Sequence, residues 1–396
     1  MKAQTVLFAA VVVLSTSTKA DVIVGTATGL AQVRVIDARS VGSGVATPDD
    51  IVFDTLPFGT ASTGARVAAG DINSDGIPDI IVGQGPDSSV PFSASDVTIL
   101  DGQDGIPPSS FTPFDVRYNG GVNVAVGDVN NDGVNDIITG TASGSSQVRV
   151  IDADPGGSAT DLASFFAFTT SYTGGVTVAS GDVTGDGNAD IITGAATGLA
   201  QVRVINGTMF DQTTPGGVID NSALVSDFFA FTTSYTGGVN VAAGDVNGDG
   251  FDDIIVGAST GTAHVRVIDG TKLDQIHPTS SEISNEALLG SFFAYDFGFT
   301  GGVNVAVGDV NGDGLDDIIT GAATGLAHVR VINGAALPSL SGVPESTDML
   351  ADFFAFDLNY SGGVYVAATD HVPEPSSLAL VGLLGVVGVL WTRWKR

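Results

Sequence analysis

The chain lacks cysteine and has few basic residues. It has 396 residues, no cysteine, and 14 Lys and Arg against 44 Asp and Glu, which gives a formal net charge of −30. The absence of cysteine excludes disulfide bonds, so stability must come from packing and bound ions. Such an acidic surface repels nucleic acid and anionic membranes, and we exclude both as partners of the folded domain.

Helical patterning is also missing between the two ends of the chain. The 54 glycines and the short β-branched runs are typical of an all-β, turn-rich protein. Continuous apolar stretches occur only near the termini. We therefore expect a signal peptide over residues 1–20, an all-β domain over residues 21–371, and a sorting or anchoring segment over residues 372–396.

An acidic loop is present in five copies. In the fourth copy, Asp245, Asn247, Asp249 and Asp253 occupy positions one, three, five and nine. Calcium takes six to eight oxygen ligands in flexible geometry, and a glycine at position six permits the sharp turn. Position twelve holds Val or Thr in place of the Glu of an EF-hand, so Asp at position nine must close the site. One copy could be an acidic hairpin turn, but five copies favour about five Ca²⁺ sites.

The candidate ligands are the side chains at positions one, three, five and nine and the backbone carbonyl oxygen at position seven. In chain order they are Asp71, Asn73, Asp75, Ile77, Asp79; Asp128, Asn130, Asp132, Val134, Asp136; Asp182, Thr184, Asp186, Asn188, Asp190; Asp245, Asn247, Asp249, Phe251, Asp253; and Asp309, Asn311, Asp313, Leu315, Asp317. The three carboxylates of each loop repel one another without an ion. We therefore expect calcium to stabilise the fold rather than to take part in chemistry.

The spacing of the loops predicts the blades of a propeller. Their first Asp residues fall at 71, 128, 182, 245 and 309, with separations of 57, 54, 63 and 64 residues. This period fits one four-stranded propeller blade. In the fourth unit we assign residues 228–231 to strand one, 238–243 to strand two, 254–257 to strand three and 264–268 to strand four.

The two ends of the domain complete each other. Asp21 and Asp37 are 16 residues apart, as are Asp253 and Asp269, so the mature chain begins inside a blade. Residues 353–356 and 363–370 supply the missing first two strands. We predict a six-bladed β-propeller whose last blade is shared between the N- and C-termini, which removes exposed sheet edges. In this blade Asp370 and Asp21 take positions one and nine but Val372 takes position three, so we expect no calcium there, or a weak site.

The two terminal segments carry export signals. Residues 1–20 combine a basic start, an apolar run and small residues before the expected cleavage point. At the other end, Pro373-Glu374-Pro375 precedes an apolar run over residues 378–391 and a basic tail. This run predicts a short transmembrane helix of about 21 Å, against a hydrocarbon core of about 30 Å.

The C-terminal segment is similar to a PEP-CTERM sorting signal. The resemblance implies an exosortase-type processing enzyme as partner, cleavage near the motif, and delivery to the cell surface or the exopolysaccharide matrix. It also implies transient anchoring in the inner membrane; the alternative is a permanent single-pass anchor.

The repeat itself resembles a known family. Residues 235–257, which run from Tyr-Thr-Gly-Gly through the acidic loop to Ile-Ile-Val-Gly, closely resemble the FG-GAP/VCBS repeat of integrin-α-type propellers. The resemblance implies a propeller, calcium ions on the blade loops, and adhesion or carbohydrate association. Integrin heads have seven blades and this chain has six, so we carry over the loop positions and not the integrin ligand surface.

No residues stand out as a catalytic group. His264 and His328 share one repeat position with Gln residues of other units, and residues that all blades share are typically structural. Five arginines share a position in strand four, and we expect them to balance strand-four carboxylates such as Asp152 and Asp269. The arginines are Arg34, Arg149, Arg203, Arg266 and Arg330.

These observations favour a non-catalytic binding protein. We expect an exported, monomeric, calcium-binding protein of a bacterial cell surface or extracellular matrix that binds polysaccharide or a surface protein. One alternative is a propeller carbohydrate-active enzyme, a polysaccharide lyase or hydrolase, which would need a cluster of residues that departs from the repeat. A passive surface spacer is the other alternative.

Overall fold

The computed structural model describes residues 20–41, 43–59, 61, 63–86, 95–102, 109–153 and 160–369. Residues 1–19 of the predicted signal peptide, the predicted C-terminal segment, Asp370 and Val372 lie outside these residues. Within the described ranges, no helix is long and apolar enough to span a membrane. The C-terminal transmembrane helix therefore stays a prediction.

The described chain consists of short strands and a few 3-10 turns, which lie at Asn221–Ala223, Gly270–Lys272, Asn285–Ala287 and Gly334–Ser339. The strands are β1 Val22–Thr26, β2 Val33–Ile36, β3 Gly44–Val45, β4 Ile51–Thr55, β5 Ala65–Gly70, β6 Asp79–Gln84, β7 Val97–Leu100, β8 Ser109–Phe111, β9 Val122–Gly127, β10 Asp136–Thr141, β11 Gln147–Asp152, β12 Thr160–Phe166, β13 Val176–Gly181, β14 Asp190–Ala195, β15 Gln201–Ile205, β16 Leu224–Phe229, β17 Val239–Gly244, β18 Asp253–Ala258, β19 His264–Ile268, β20 Leu288–Phe293, β21 Val303–Gly308, β22 Asp317–Ala322, β23 His328–Ile332, β24 Ser341–Gly342, β25 Met349–Phe354 and β26 Val364–Ala368.

These strands form six antiparallel sheets, which confirms the six-bladed propeller. Blades one to four are β5-β6-β7-β8, β9-β10-β11-β12, β13-β14-β15-β16 and β17-β18-β19-β20. Blade five is β21-β22-β23-β25, and the split blade is β26-β1-β2-β4. The first strand of each blade is the innermost, because these six strands contact one another around the ring.

The hydrophobic core lies between neighbouring blades. The second strand of each loop-bearing blade is buried along its whole length, as in β18, because further blades cover both of its faces. Phe228 of β16 and Ile254 of β18 belong to one apolar cluster although they come from different blades. Burying a side chain of this size contributes about 1.5–3 kcal/mol, so the blade interfaces account for much of the stability.

One strand assignment was wrong. Residues 228 and 229 pair with β15, the third strand of blade three, and not with the inner strand β17. The segment assigned to strand one of a unit is thus the outer strand of the preceding blade. The repeat sets the order of strands along the chain, but it does not show where one sheet ends and the next begins.

The split blade also differs from the prediction, because the segment expected to be its first strand is the outer strand of blade five. The C-terminal part contributes the inner strand β26, while β25 completes blade five. The N-terminal part contributes β1, β2 and β4. The backbone N–H of Asp21 donates to Thr369 Oγ1 at 2.9 Å, which fastens the two ends together.

The propeller has two distinct faces. The second residues of all six inner strands line the same axial cavity, so these strands run in register. All five acidic loops therefore emerge at one end, here called the loop face. The tight turns between second and third strands and the Tyr/Phe-x-Gly-Gly connections lie at the other end, here called the turn face.

The long connections that follow the third strands of blades four and five, residues 269–287 and 333–348, lie on the loop face. Each third strand is antiparallel to the second strand and therefore ends at the face where the second strand begins. These connections also cover sheet edges. In the connection of blade five, β24 adds a parallel strand to the outer strand β20 of blade four, and β3 does the same to β25. Covering an outer strand in this way protects it from pairing with another chain.

Candidate metal centre

Each acidic loop joins an inner strand to the second strand of its blade. In blade four the loop leaves β17 at Gly244 and enters β18 at Asp253, and these two residues pair directly. Gly250, at position six, has φ +86°, a left-handed conformation that side chains other than glycine rarely adopt. The equivalent glycines of the other four loops have φ between 83° and 90°. The predicted sharp turn is therefore present in all five loops.

The carboxylate at position one organises the loop. Asp245 accepts hydrogen bonds from the backbone N–H groups of Gly248, Asp249 and Gly250 at 2.7, 3.2 and 2.9 Å. In the other four loops the position-one Asp likewise accepts from the position-six glycine at 2.8–2.9 Å. The backbone thus wraps around one carboxylate and holds it at the mouth of the loop.

The carboxylate at position nine lies at the base of the loop. Asp253 is fully buried, and it accepts from the backbone N–H of Val246 at 3.3 Å and of Gly270 at 3.0 Å. Gly270 begins the connection that follows the third strand, so this carboxylate joins two segments of the loop face. The five position-nine residues are at most 1 % exposed.

Burial raises the pKa of the position-nine carboxyls. The pKa of Asp253 is raised to about 7: burial contributes most, the N–H of Gly270 opposes the rise, and the charges of Asp249, Asp269 and Asp245 add to it. Among the residues that the structure describes, no Lys, Arg or His forms a salt bridge with any of the five position-nine carboxylates. The pKa is about 6 for Asp79, Asp190 and Asp317 and about 7 for Asp136.

Positions three and five complete the loop. Asn247 donates from Nδ2 to both oxygens of Asp253, at 3.2 and 3.1 Å. Asp249 accepts from the N–H of Phe251 at 3.0 Å and is exposed. The role of the position-seven carbonyl oxygens stays a prediction.

The donor set fits calcium in chemistry but is not gathered into a finished shell. No group of three or more His, Asp or Glu side chains within the described ranges is close enough together to hold a metal ion. The loop offers hard oxygen ligands around a buried carboxylate, and oxygen is the ligand type that calcium requires. Turning the Asn247 amide by half a rotation would present Oδ1, in place of Nδ2, to a cation beside Asp253.

The split blade balances its buried carboxylate with a protein cation. Asp21 occupies the position-nine site and is 3 % exposed. Its Oδ1 lies 3.6 Å from Arg39 Nη2. Burial raises the pKa of Asp21 to about 6, and the charge of Arg39 opposes this rise. The predicted position-one and position-three residues, Asp370 and Val372, lie outside the described residues.

The sequence interpretation missed position eight, which links loops of neighbouring blades. Asp252 accepts from the N–H of Asp182 at 2.8 Å, and its own N–H donates to the carbonyl oxygen of Asp182 at 3.0 Å. In blade five the N–H of Asp316 donates to the Asp245 carbonyl oxygen at 3.0 Å. The signal in the sequence was the acid directly before position nine, which an interpretation limited to alternate positions misses.

Four of the five strand-four arginines pair with carboxylates of the outer strand, whereas the prediction was a carboxylate of their own strand. Arg203 pairs with Asp227 of the outer strand at 3.0 Å and donates to the Ala167 carbonyl oxygen of the preceding connection at 2.9 Å. Asp269, the expected partner, instead pairs with Lys272 at 2.6 Å. Arg34, Arg149 and Arg330 likewise pair with Asp54, Asp161 and Asp352.

The two strand-four histidines also contact outer-strand residues. His264 Nε2 lies 2.9 Å from Ser291 Oγ, and its ring stacks on Phe293 at 4.7 Å between centroids. Burial, followed by the charge of Arg266, lowers the pKa of His264 to about 4. His328 Nε2 contacts Asp352. The structure therefore places the two histidines within separate blades and does not bring them together.

Comparison with known families covers all five loops. A family model for the FG-GAP repeat matches residues 63–99, 237–271 and 301–335, and a model for an FG-GAP-like repeat matches residues 128–193. A model for the PEP-CTERM protein-sorting motif matches residues 371–396. The chain carries FG-GAP repeats and a PEP-CTERM sorting motif. The sorting motif implies exosortase processing, and together these features indicate an exported surface protein.

Similar proteins include integrin α chains. Over 88 residues, 22 % of this chain and 7 % of the relative, the FG-GAP propeller is 35 % identical to integrin alpha-8 of Gallus gallus. Over 259 residues, 57 % of this chain and 20 % of the relative, it is 31 % identical to integrin alpha pat-2 of Caenorhabditis briggsae. The chain thus spans a fifth or less of these relatives.

Two solved structures resemble the FG-GAP propeller distantly. The V. cholerae biofilm matrix protein Bap1 has a TM-score of 0.35 and 17 % identity, covering 78 % of this chain and 42 % of that one. Rhamnogalacturonan lyase YesW has a TM-score of 0.38 and 13 % identity, covering 85 % and 63 %. Scores this low carry no functional argument.

Proposed function

We propose that this protein is a non-catalytic, calcium-binding protein of the cell surface or extracellular matrix. Calcium at the five loops stabilises the propeller, and the turn face binds polysaccharide. The observation that carries the calcium proposal is the buried position-nine carboxylate. It recurs in five loops, where no described residue forms a salt bridge with it, and in the split blade it lies beside Arg39.

Desolvation of the position-nine carboxylate favours calcium binding. A carboxylate removed from water without a cation is costly, and here the charges of two further loop carboxylates oppose its ionisation. Calcium carries two positive charges, which offset most of this negative charge, and it prefers oxygen ligands. Because the ion binds the folded chain preferentially, occupancy raises stability by mass action.

The turn face offers exposed apolar side chains to a ligand. Val116, Phe297 and Leu358 occupy equivalent places in three connections and are 67, 63 and 54 % exposed. Phe297 packs edge-on against Phe293 at 4.9 Å between centroids, so its ring is held in place. Exposed apolar groups on an otherwise acidic protein favour a binding surface, and a fixed aromatic ring can stack against a sugar.

The absence of catalysis is part of the proposal. An enzyme needs acids, bases or nucleophiles that converge on one reacting group. The histidines considered as candidates contact outer strands of separate blades, at positions that glutamine fills elsewhere in the repeat. This arrangement supports a structural role for both.

The C-terminal segment supplies localisation. We propose that the apolar run holds the protein transiently in the inner membrane until an exosortase-type enzyme cleaves near Pro373-Glu374-Pro375. Replacing Glu374 by Ala should leave the uncut protein in the membrane fraction. Release of the variant at the normal mass would contradict processing at this motif.

The test of binding uses the mature protein purified after export. The protein is sedimented with the host exopolysaccharide in calcium and in EDTA, and the supernatant is assayed for released sugars. We expect calcium-dependent co-sedimentation without sugar release. Phe297→Thr, which installs the residue found at the equivalent Thr170 and Thr233, should weaken binding, whereas Val225→Thr on an exposed outer strand should not.

Other outcomes reassign the function. Released oligosaccharide would overturn the non-catalytic part in favour of a lyase or hydrolase. Failure to co-sediment, in a protein that calcium does stabilise, would overturn the polysaccharide part and leave a protein partner or a spacer. Equal melting temperatures in calcium and EDTA would overturn the calcium part independently of either result.

A further inference from the structure

The inner strands are joined around the axis by a repeated side-chain contact. The second residue of an inner strand donates to the carbonyl oxygen of the first residue of the next inner strand. Asn123 reaches Val176 at 2.7 Å, Thr177 reaches Val239 at 2.9 Å, Asn240 reaches Val303 at 2.8 Å and Asn304 reaches Val364 at 2.8 Å. Four of the six junctions follow this rule.

The two remaining positions are adjacent and carry Arg66 and Tyr365. The guanidinium carbon of Arg66 lies 4.9 Å from the centroid of the Tyr365 ring. Arg66 Nε and Nη1 are buried and have no hydrogen-bond partner, and no salt bridge joins Arg66 to a carboxylate of the described residues. By contrast, every strand-four arginine donates to a carbonyl oxygen of a preceding connection.

The surroundings of Arg66 leave room for its guanidinium group. A Cβ atom added to Gly85 or Gly121 would lie 3.3 or 3.2 Å from Arg66 Nη1. The glycines at these two positions therefore allow the guanidinium to settle between blades one and two. The axial cavity beside it has a volume of about 100 Å³, and Arg66 is the one charged residue among the described residues that line it.

An unpaired guanidinium at this place calls for an acceptor. Arginine stays protonated at all physiological pH values and has donors only, so an anion or a neutral acceptor has to meet its N–H groups. Asparagine at this position would make the junction that three other blades use, so closing the ring does not require a cation. In a chain with a net charge of −30, a monovalent anion is repelled less than a divalent one.

We propose that Arg66 and Tyr365 form a binding site for a single carboxylate group in the axial cavity. Arg66 is the second residue of β5, so the site lies at the end of the cavity nearer the turn face. The carboxylate comes either from a small free acid or from a uronic acid of the bound polysaccharide. The second source rests on the proposed polysaccharide-binding function and would place an acidic sugar beside the apolar side chains of that face.

The test uses calorimetric titration of the purified full chain in saturating calcium with acetate, glucuronate and glucose. We expect saturable binding of acetate and glucuronate and none of glucose. Arg66→Asn should weaken carboxylate binding at least tenfold while it keeps or raises the melting temperature, because the asparagine restores the repeated junction. Arg117→Asn removes the same charge from an exposed place on the same face and should leave binding unchanged.

The relative affinities for acetate and glucuronate show whether the carboxylate comes from a free acid or from an acidic sugar. Equal affinity for acetate and glucuronate supports a site for a free acid, whereas at least tenfold tighter binding of glucuronate supports the acidic sugar. Absence of binding by either acid, or equal binding by Arg66→Asn and the parent chain, would overturn the proposal. The melting temperature in calcium and EDTA, measured in parallel, reports on the loops, so failure here remains distinct from failure of the calcium function.

Discussion

The five loop blades and the split blade bury a carboxylate at the same strand position but surround it differently. In the split blade, Asp21 has the guanidinium group of Arg39 at 3.6 Å. In blade four, Asp253 is buried, which raises its pKa, and the charges of Asp249, Asp269 and Asp245 add to this rise. A closed ring can therefore tolerate a buried acid beside a protein cation, and under our proposal an external ion takes that role in the other five blades.

Of the changes considered, removal of calcium should lower the stability of the protein most. A site held at 100 times its Kd contributes about 2.7 kcal/mol of stability, so five sites contribute on the order of 10 kcal/mol. Differential scanning calorimetry in millimolar calcium and in EDTA should show a difference in Tm on the order of 20 °C. Coincident transitions would show that the loops are not working calcium sites.

Acidification should remove most of the stabilisation by calcium. In EDTA the buried carboxyls have pKa values of about 6 to 7, against an ordinary value of 3.8, so their protonated form is favoured by folding. Their contribution to stability is complete below pH 3.8 and is lost as the pH rises through 6 to 7. Calcium needs them ionised and binds more weakly in acid. Melting curves with and without calcium should therefore converge near pH 5, and a constant gap from pH 8 to 5 would contradict this.

Replacement of one loop carboxylate should affect one site. Asp249→Asn should lower the free energy of unfolding by about 1–3 kcal/mol in calcium, because the ion loses a charged ligand. In EDTA the same variant should be as stable as the parent or slightly more stable, since it removes repulsion from Asp253.

The matched control for this replacement is Asp274→Asn. It makes the same charge change at an exposed place outside the loop of blade four. It should alter stability equally in calcium and EDTA. A loss that is the same in both buffers for Asp249→Asn would argue that the residue acts only through its hydrogen bond to the Phe251 N–H.

A substitution in the split blade should change stability by the same amount with and without calcium. Arg39→Gln removes the cation beside Asp21 and should cost about 1–2 kcal/mol, because Arg39 is partly exposed and solvent screens the pair. Urea unfolding should show the same loss in calcium and in EDTA. A loss of stability confined to calcium buffer would mean that the split blade also binds an ion. This would contradict the view that Arg39 replaces the ion there.

Much of the fold was accessible from the sequence because the repeat is regular. The six blades, the shared blade and the position-six glycines followed from spacing and turn chemistry. The sheet to which residues 228 and 229 belong did not follow, since a four-strand period is the same wherever the sheet boundary lies. The partner of Arg203 also escaped, because Asp227 lies 24 residues away along the chain and meets it only through the pairing of β15 with β16.

The sequence predicts the residue types of the candidate metal site but not the contacts between them. The ligand types at positions one, three, five and nine are readable as letters, whereas the burial of Asp253 and its bond to Gly270 depend on tertiary packing. Arg66 carried a visible signal, as a cation where three other blades have asparagine. Its meaning required the axial arrangement of the inner strands, which a linear repeat does not show.

The number of calcium ions bound per chain decides whether the five acidic loops are calcium sites. Equilibrium dialysis of the full chain against calcium at pH 8, followed by elemental analysis, counts them. We expect five ions for the parent chain, four for a variant with both Asp249 and Asp253 replaced by Ala, and five for Arg39→Gln. Fewer than one ion per parent chain, or an unchanged count in the double variant, would contradict it.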